Sequence, residues 1–148
     1  MNYHLVILKK PYLDLILGGR KTIELRLTRA RRPPGPRALP GDRLFLKASG
    51  GPVCAVATAA EVRYYEDLTP ERVAGIRQEY NEQIQGGDAV WQSMMDCRSG
   101  FLVWLRGVRP IAPVRIDKKD WRAWVVLTPE KNFGLLQISR LSGDELWT

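Results

Sequence analysis

The sequence predicts an α+β fold: a small mixed β-barrel of five to seven mainly antiparallel strands, with two or three helices on its rim. Three observations point there. Short apolar runs of strand length recur along the chain, bounded by Gly, Pro and Asp turns. Two or three segments instead carry helical spacing with start and stop signals. A set of short strands hides its edges best by closing on itself. A length of 148 residues suits one domain spanning 1–148.

Tyr3–Leu8 reads as a buried strand, short and partly β-branched. Pro11 then opens a helix, Leu13, Ile16 and Leu17 form its apolar stripe, and Gly18-Gly19 stop it. Residues 22–27 alternate. Ile23, Leu25 and Leu27 belong to a core, while Thr22, Glu24 and Arg26 share the opposite, polar face. Residues 28–41 form a loop, because four prolines and two glycines forbid regular structure across it. A loop of about 14 residues is long for a compact domain, and such loops are mostly functional or mobile.

Pro40-Gly41-Asp42 turns the chain into a strand at 43–48, and residues 53–62 form a strand whose alanines allow close packing. Thr69-Pro70-Glu71 starts a helix, with Thr as N-cap, Pro in the first turn and an acid beside it. Val73, Ile76, Tyr80 and Ile84 continue it and Gly86-Gly87 end it. Asp88 begins a short helix through Trp91, Met94 and Met95, whose Met and Trp content belongs to a core. Residues 101–108 are the strongest strand. Pro110 and Pro113 limit 111–116 to an edge strand, and 124–127 and 135–138 read as the last two strands.

The charge is concentrated. Residues 20–47 hold nine Lys/Arg and two acids, which accounts for the whole net charge of +7, since the other 14 bases and 14 acids cancel. Such a patch points to an anionic, nucleic-acid-like partner. His4 is the only histidine, which removes Ser-His-Asp and Cys-His schemes and His-rich metal sites and leaves it a structural reading. Cys54 and Cys97 lie far apart. They suggest neither a metal cluster nor a disulfide framework, and Cys54 reads as a buried thiol in a reducing compartment. No run reaches the ~18 apolar residues of a membrane helix, and no basic region precedes the first apolar run. The expectation is a cytoplasmic monomer with no membrane association, cofactor or metal.

Pro11-Tyr12, then Leu15-Ile16-Leu17-Gly18-Gly19-Arg20-Lys21-Thr22-Ile23-Glu24-Leu25-Arg26, resembles the signature of the ASCH domain, a family of the PUA-like superfamily. Its pattern is an apolar helix followed by Gly-x-Lys-x-x-Glu-x-Arg. Pro40-Gly41-Asp42 and the strand after it resemble a further part of the pattern. The resemblance is dense over residues 5–62 and diffuse to about 127. It implies a PUA-like pseudo-barrel with a cleft on the face of Lys21, Glu24 and Arg26. It also implies RNA, DNA or nucleotide-like ligands and, in subgroups, hydrolysis of N4-acetylcytidine-type amides or of RNA.

Two functions follow. The first is a binding module for RNA, single-stranded nucleic acid or a nucleotide-like ligand. Its candidate ligand-binding residues are Arg20, Lys21, Thr22, Glu24, Arg26, Arg29, Arg31, Arg32, Arg43, Trp121 and Trp124. Arginine suits bidentate phosphate contact, Glu24 can accept from a base amino group, and one of the two tryptophans, set among Lys118, Lys119 and Arg122, can stack on a base. The alternative is a small metal-independent hydrolase, an N4-acetylcytidine-type amidohydrolase or a ribonuclease, with Lys21, Glu24 and Glu79 as candidate catalytic groups. The resemblance places a threonine nucleophile of the amidohydrolase subgroup where this chain has Glu24. It aligns that subgroup's acid with Glu79 only after a one-turn shift. Glu24 in the nucleophile's place, with no histidine available for acid–base work, favours the module.

Overall fold

The computed structural model describes residues 1–33, 37–118, 122–141 and 146–147. In chain order the elements are β1 (Tyr3–Leu8), α1 (Lys10–Leu17), β2 (Ile23–Thr28), β3 (Arg43–Ala48), β4 (Val53–Tyr65), α2 (Pro70–Ile84), α3 (Asp88–Ser93), β5 (Ser99–Val114), β6 (Trp124–Val126) and α4 (Leu135–Leu141). The six strands form one sheet in the order β2-β5-β4-β3-β1-β6. β1 and β3 run parallel, and the remaining pairings are antiparallel. The sheet curls into a half-barrel. One bond records the curl: Arg26 of β2, first in the order, donates to the Ile7 carbonyl of β1, fifth in the order, at 2.8 Å.

Residues paired directly across strands share a face, and that rule sorts the core. The concave face carries Val6, Leu8, Leu44, Leu46, Ala57 and Val103, covered by Leu13 and Ile16 of α1. The other face carries two clusters. Phe45 and Val56 pack against Val125, Leu135, Leu136 and Trp147. Ile23 and Leu102 pack against α2 through Val73, Ile76 and Ile84 and against α3 through Trp91. Strands buried on both faces read as apolar runs rather than alternating patterns.

Helix α2 forms as its sequence signals require: Thr69 accepts from Arg72 N–H at 3.3 Å, Pro70 opens the first turn, and Gln85 closes the helix in the left-handed conformation at φ 62°. α1 begins one residue earlier than Pro11 suggests, and Leu17 at its end is exposed. β5 runs through Pro110 and Pro113 without a break. β2 pairs only with residues 99–104, so among the described residues the later half of β5 is paired on its β4 side alone, the edge setting in which a strand tolerates proline.

The segment 135–138, expected as a strand, is the start of α4. Leu-Leu-Gln-Ile is too short for its apolar spacing to separate helix from strand. Asn132 decides the matter by accepting from Gly134 N–H at 2.9 Å, a turn that leads into the helix. Among the described residues there are therefore four helices rather than two or three. Cys54, expected buried, is half-buried, while Cys97 is buried, and both are free thiols.

Candidate functional site

Lys21 sits just before β2, where the chain leaves α1 through Gly19 at φ 79°. Its side chain turns inward and is 2% exposed. The ammonium donates to the Ile23 carbonyl at 2.7 Å and the Ile84 carbonyl at 2.7 Å, and it lies 3.2 Å from Glu24 Oε1. Three acceptors match the three N–H groups of a charged lysine. The bond to Ile84 ties the last turn of α2 to β2, and a cation there also suits the helix C-terminus. Burial pulls the Lys21 ammonium below its ordinary pKa, with Glu24 working in the opposite direction.

Glu24 pairs with Val103 across the ladder, so it faces the concave side. Its Oε1 accepts from Leu25 N–H at 3.1 Å as well as from Lys21. Its Oε2 accepts from Arg26 Nε at 3.2 Å and Nη2 at 2.8 Å. A carboxylate offers about four lone-pair sites, and all are in use. Burial opposes the charge, but the Arg26 and Lys21 cations outweigh it and hold the carboxyl below the usual glutamate range. Arg26 then reaches across the opening of the half-barrel to the carbonyls of Ile7 at 2.8 Å and Ala123 at 3.3 Å. Its guanidinium lies over the Trp124 ring, 5.5 Å from the centroid.

Beside this cluster opens a cavity of about 330 Å³. Leu25, Ile84, Val90 and Met94 line it, and Tyr12 stands 5.6 Å from the Lys21 ammonium. Lys21, Glu24 and Arg26 supply its polar side, with Lys9 and Ser93 also in the lining. The α2–α3 turn is held by Asn81, whose Oδ1 accepts from both Gly86 N–H and Trp91 Nε1–H at 2.8 Å. A Cβ on Gly86 would meet Trp91 Nε1 at 2.7 Å, so this turn has room for glycine alone. Two lysines and an arginine against one carboxylate leave the lining net positive.

The other residues singled out from the sequence are dispersed. Arg20 and Thr22 are exposed beside Lys21, and Thr22 contributes only its backbone, bonded to Gln83 and Leu105. Glu79 lies on the exposed side of α2, outside the cavity lining. Arg29 pairs with Asp96 at 2.7 Å and Arg31 with Asp67 at 3.7 Å, while Arg32 is exposed. Arg37 pairs with Glu66 at 3.6 Å and stacks on Tyr64. Acids remote in sequence thus offset much of the charge of this loop. Arg43 lies at the opposite end of the β1–β3 pair, opposite Tyr3, on the other sheet face.

Trp124 is a half-buried support: its indole N–H donates to His4 Nδ1 at 3.0 Å and its ring meets Phe101 edge-on. Trp121 and Lys119 lie outside the described residues. His4 is fully buried, with Nε2 2.7 Å from Asp42 Oδ2. Lys9, Tyr12, Ser93 and the α3 wall escaped the sequence reading as site residues. Tyr12 alone had a signal, its place in the motif. Among the described residues, no group of His, Cys, Asp and Glu could hold a metal ion, and no helix is long and apolar enough to cross a membrane.

A curled half-barrel with a helix-walled cleft beside Lys21, Glu24 and Arg26 defines an α+β domain of the PUA-like class. The chain belongs to the ASCH domain family, whose model matches residues 6–94. Its structure is similar to that of ASCH from Zymomonas mobilis, with a TM-score of 0.70, 18% identity and coverage of 93% of this chain and 95% of that one. A serine-to-alanine variant of that protein matches with a TM-score of 0.70 and 20% identity, over 93% of this chain and 96% of the other. At such identity the likeness concerns the fold. No curated protein matches the chain.

Proposed function

We propose that this ASCH domain binds single-stranded nucleic acid, RNA foremost, by seating one unstacked base in the cleft. The carrying observation is the cavity of about 330 Å³, with apolar walls and a net positive lining. A flat ring fits between Tyr12, Leu25 and Met94, and Lys9 and Arg26 meet the negative charge of the attached backbone. Arg29 and Arg31, already paired to acids, would exchange carboxylates for phosphates and add a salt-sensitive component. Because each Glu24 oxygen already takes two bonds, Glu24 acts first as the hub that fixes Lys21 and Arg26. It reads a base amino group only by releasing one of those bonds.

The hydrolase reading has less support. Lys21 has no spare N–H to polarise a carbonyl, a carboxyl held below its usual range is a weak base, and Glu79 stands away from the cleft. The test is fluorescence anisotropy with labelled single-stranded RNA and DNA octamers and a duplex, repeated over a salt series. Single strands are expected to bind more tightly than duplex, weakening with salt by about 0.7 log units per log unit for each phosphate contacted. Ser93→Trp, which fills the cleft from an exposed position, removes the preference. Salt-independent binding, or none at low salt, refutes the reading. Turnover of N4-acetylcytidine or of labelled RNA that Lys21→Met abolishes would replace it with the hydrolase.

A further inference from the structure

The lone histidine and the Pro40-Gly41-Asp42 turn lie outside the cleft lining, and the fold joins them behind it. The Asp42 carboxylate accepts from Asn2 N–H at 2.9 Å and Leu39 N–H at 3.0 Å, and its Oδ2 lies 2.7 Å from His4 Nε2. His4 is 0% and Asp42 1% exposed. Burial opposes the charge of Asp42, but the bonds from Asn2, His4 and Leu39 outweigh it and hold the carboxyl below the usual aspartate range. On the other side of the imidazole, Trp124 Nε1–H donates to Nδ1 at 3.0 Å. An indole N–H only donates, so Nδ1 is the acceptor and the neutral ring carries its proton on Nε2, toward Asp42.

Trp124 extends this relay to the cleft. Its ring meets Phe101 edge-on, and the Arg26 guanidinium lies 5.5 Å from its centroid. Phe101 pairs directly with Arg26 across the β2–β5 ladder, so the three side chains meet on the concave face. Arg26 also donates to the carbonyl of Ala123, the residue before Trp124, at 3.3 Å. Two of the contacts that hold Arg26 therefore belong to one dipeptide, and His4 Nδ1 orients its indole. Among the described residues Asp42 is the titratable group that touches His4. Arg26 of β2 faces it from beyond the Trp124 ring, and Tyr64 of β4, bonded to the Ala38 carbonyl at 2.8 Å, stands near Asp42. β3 and β6 set Leu44 and Val126 opposite His4, and α1 brings Leu13 and Ile16 to the concave face.

We infer that Asp42 and His4 are positioning residues for the cleft, which binds RNA tightly only while His4 is neutral. The inference rests on the base-binding reading of the cleft and adds its regulation. A proton on Nδ1 turns the acceptor into a donor facing the indole N–H. The Nε2 bond to Asp42 survives, strengthened by charge, so the break falls on the Trp124 side. The indole then turns away, and Arg26 loses the ring on which it lies and the orientation in which it meets a phosphate. Burial already holds His4 below its ordinary pKa, so the device acts in acid, below about pH 6.5. By linkage, RNA in turn lowers the His4 pKa.

The test is anisotropy of a labelled single-stranded RNA octamer at fixed ionic strength, from about pH 7.5 to about pH 5.5, with circular dichroism confirming the fold throughout. Wild type is expected to weaken about threefold or more toward the acid end. Added positive charge alone tightens binding to RNA, so the sign separates the relay from a general charge effect. Two substitutions separate it from packing. His4→Gln keeps a donor near the Nε2 position but offers the indole no acceptor, and it should bind about fivefold more weakly at the neutral end with no further loss in acid. His4→Asn keeps an acceptor near the Nδ1 position and should retain more of the affinity, although it fills less of the core. Because His4 is the only histidine, nitrogen NMR reads its tautomer and its titration in the wild-type chain without assignment. A neutral ring protonated at Nε2, with a midpoint that falls when RNA binds, is expected. Binding that stays level or tightens in acid, a folded His4→Gln no weaker than His4→Asn, or a ring protonated at Nδ1 overturns the inference and leaves the cleft reading standing. No RNA binding by wild type at the neutral end removes the cleft reading itself, and this inference with it.

Discussion

Replacing Glu24 by glutamine tests the hub directly. The carboxylate takes four bonds from Lys21, Leu25 and Arg26. An amide keeps one acceptor oxygen and turns an NH2 group toward either the ammonium or the guanidinium, so donors face donors. The negative charge between two cations is lost, and one of those cations, Lys21, is 2% exposed. Breaking a buried ion pair costs about 3–5 kcal/mol. Arg26 keeps 21% of its side-chain surface in water, which moves the expected loss to the lower end, about 3 kcal/mol. For a chain of this length that lowers Tm by about 10 °C. Urea unfolding followed by circular dichroism measures it.

Lys21→Met completes a double-mutant cycle, with an expected coupling of at least about 1.5 kcal/mol. The pH dependence has a definite sign. The folded carboxyl lies below its unfolded value, so its contribution is complete above about pH 4.3 and is lost as pH falls through the lower folded value. The gap between wild type and Glu24→Gln should be level from pH 6 to 8, where the Glu24 carboxyl is ionised in both the folded and the unfolded chain, and should shrink in acid below about pH 4. A loss under about 1 kcal/mol, or additive single effects, would refute the hub.

Three further outcomes are expected. His4 accepts from Trp124 at Nδ1 and is held below its ordinary pKa chiefly by burial, so the folded protein resists protonation; stability should fall as pH drops from about 6.5, and His4→Gln should flatten melting curves recorded between about pH 5 and 7. Gly100→Ala places a Cβ 2.0 Å from the Arg26 carbonyl, so β2 must move and stability should drop by about 3 kcal/mol or more in denaturant titrations; a loss under about 1 kcal/mol would contradict that packing. Arg26→Lys replaces a fork bridging Glu24, Ile7 and Ala123 with one point charge, so hydrogen exchange at the Ile7 amide, bonded to Ala123 O, should quicken about tenfold or more, and unchanged protection would argue against the bridge.

The Lys21/Glu24/Arg26 cluster was legible because period-2 alternation placed Glu24 and Arg26 on one face, and the family motif added Lys21. α2 was legible because Thr69, Pro70 and Glu71 act locally. What lay hidden depended on remote partners. Nothing near Lys21 announces the Ile84 carbonyl, and nothing near Arg26 announces Ile7 or Ala123. The loop arginines looked like a bare cationic flap because Asp96, Asp67 and Glu66 come from elements folded later in the chain. Arg43 looked like part of the same patch, since sequence proximity does not show which sheet face a strand presents. Glu79 had only a shifted alignment behind it, and the helix turned it to solvent.

Among the described residues the half-barrel leaves two rims unmatched, those of β2 and β6, at the ends of the strand order. Such rims invite strands from neighbouring molecules. At the β2 rim the recognition motif blunts the edge: Glu24 occupies the Leu25 amide, and Arg26 ties β2 to the carbonyls of Ile7 and Ala123 across the opening of the half-barrel. The residues that shape the cleft therefore also cover part of an open sheet edge. A variant disabled at these positions should be checked for oligomers before its silence is blamed on lost recognition.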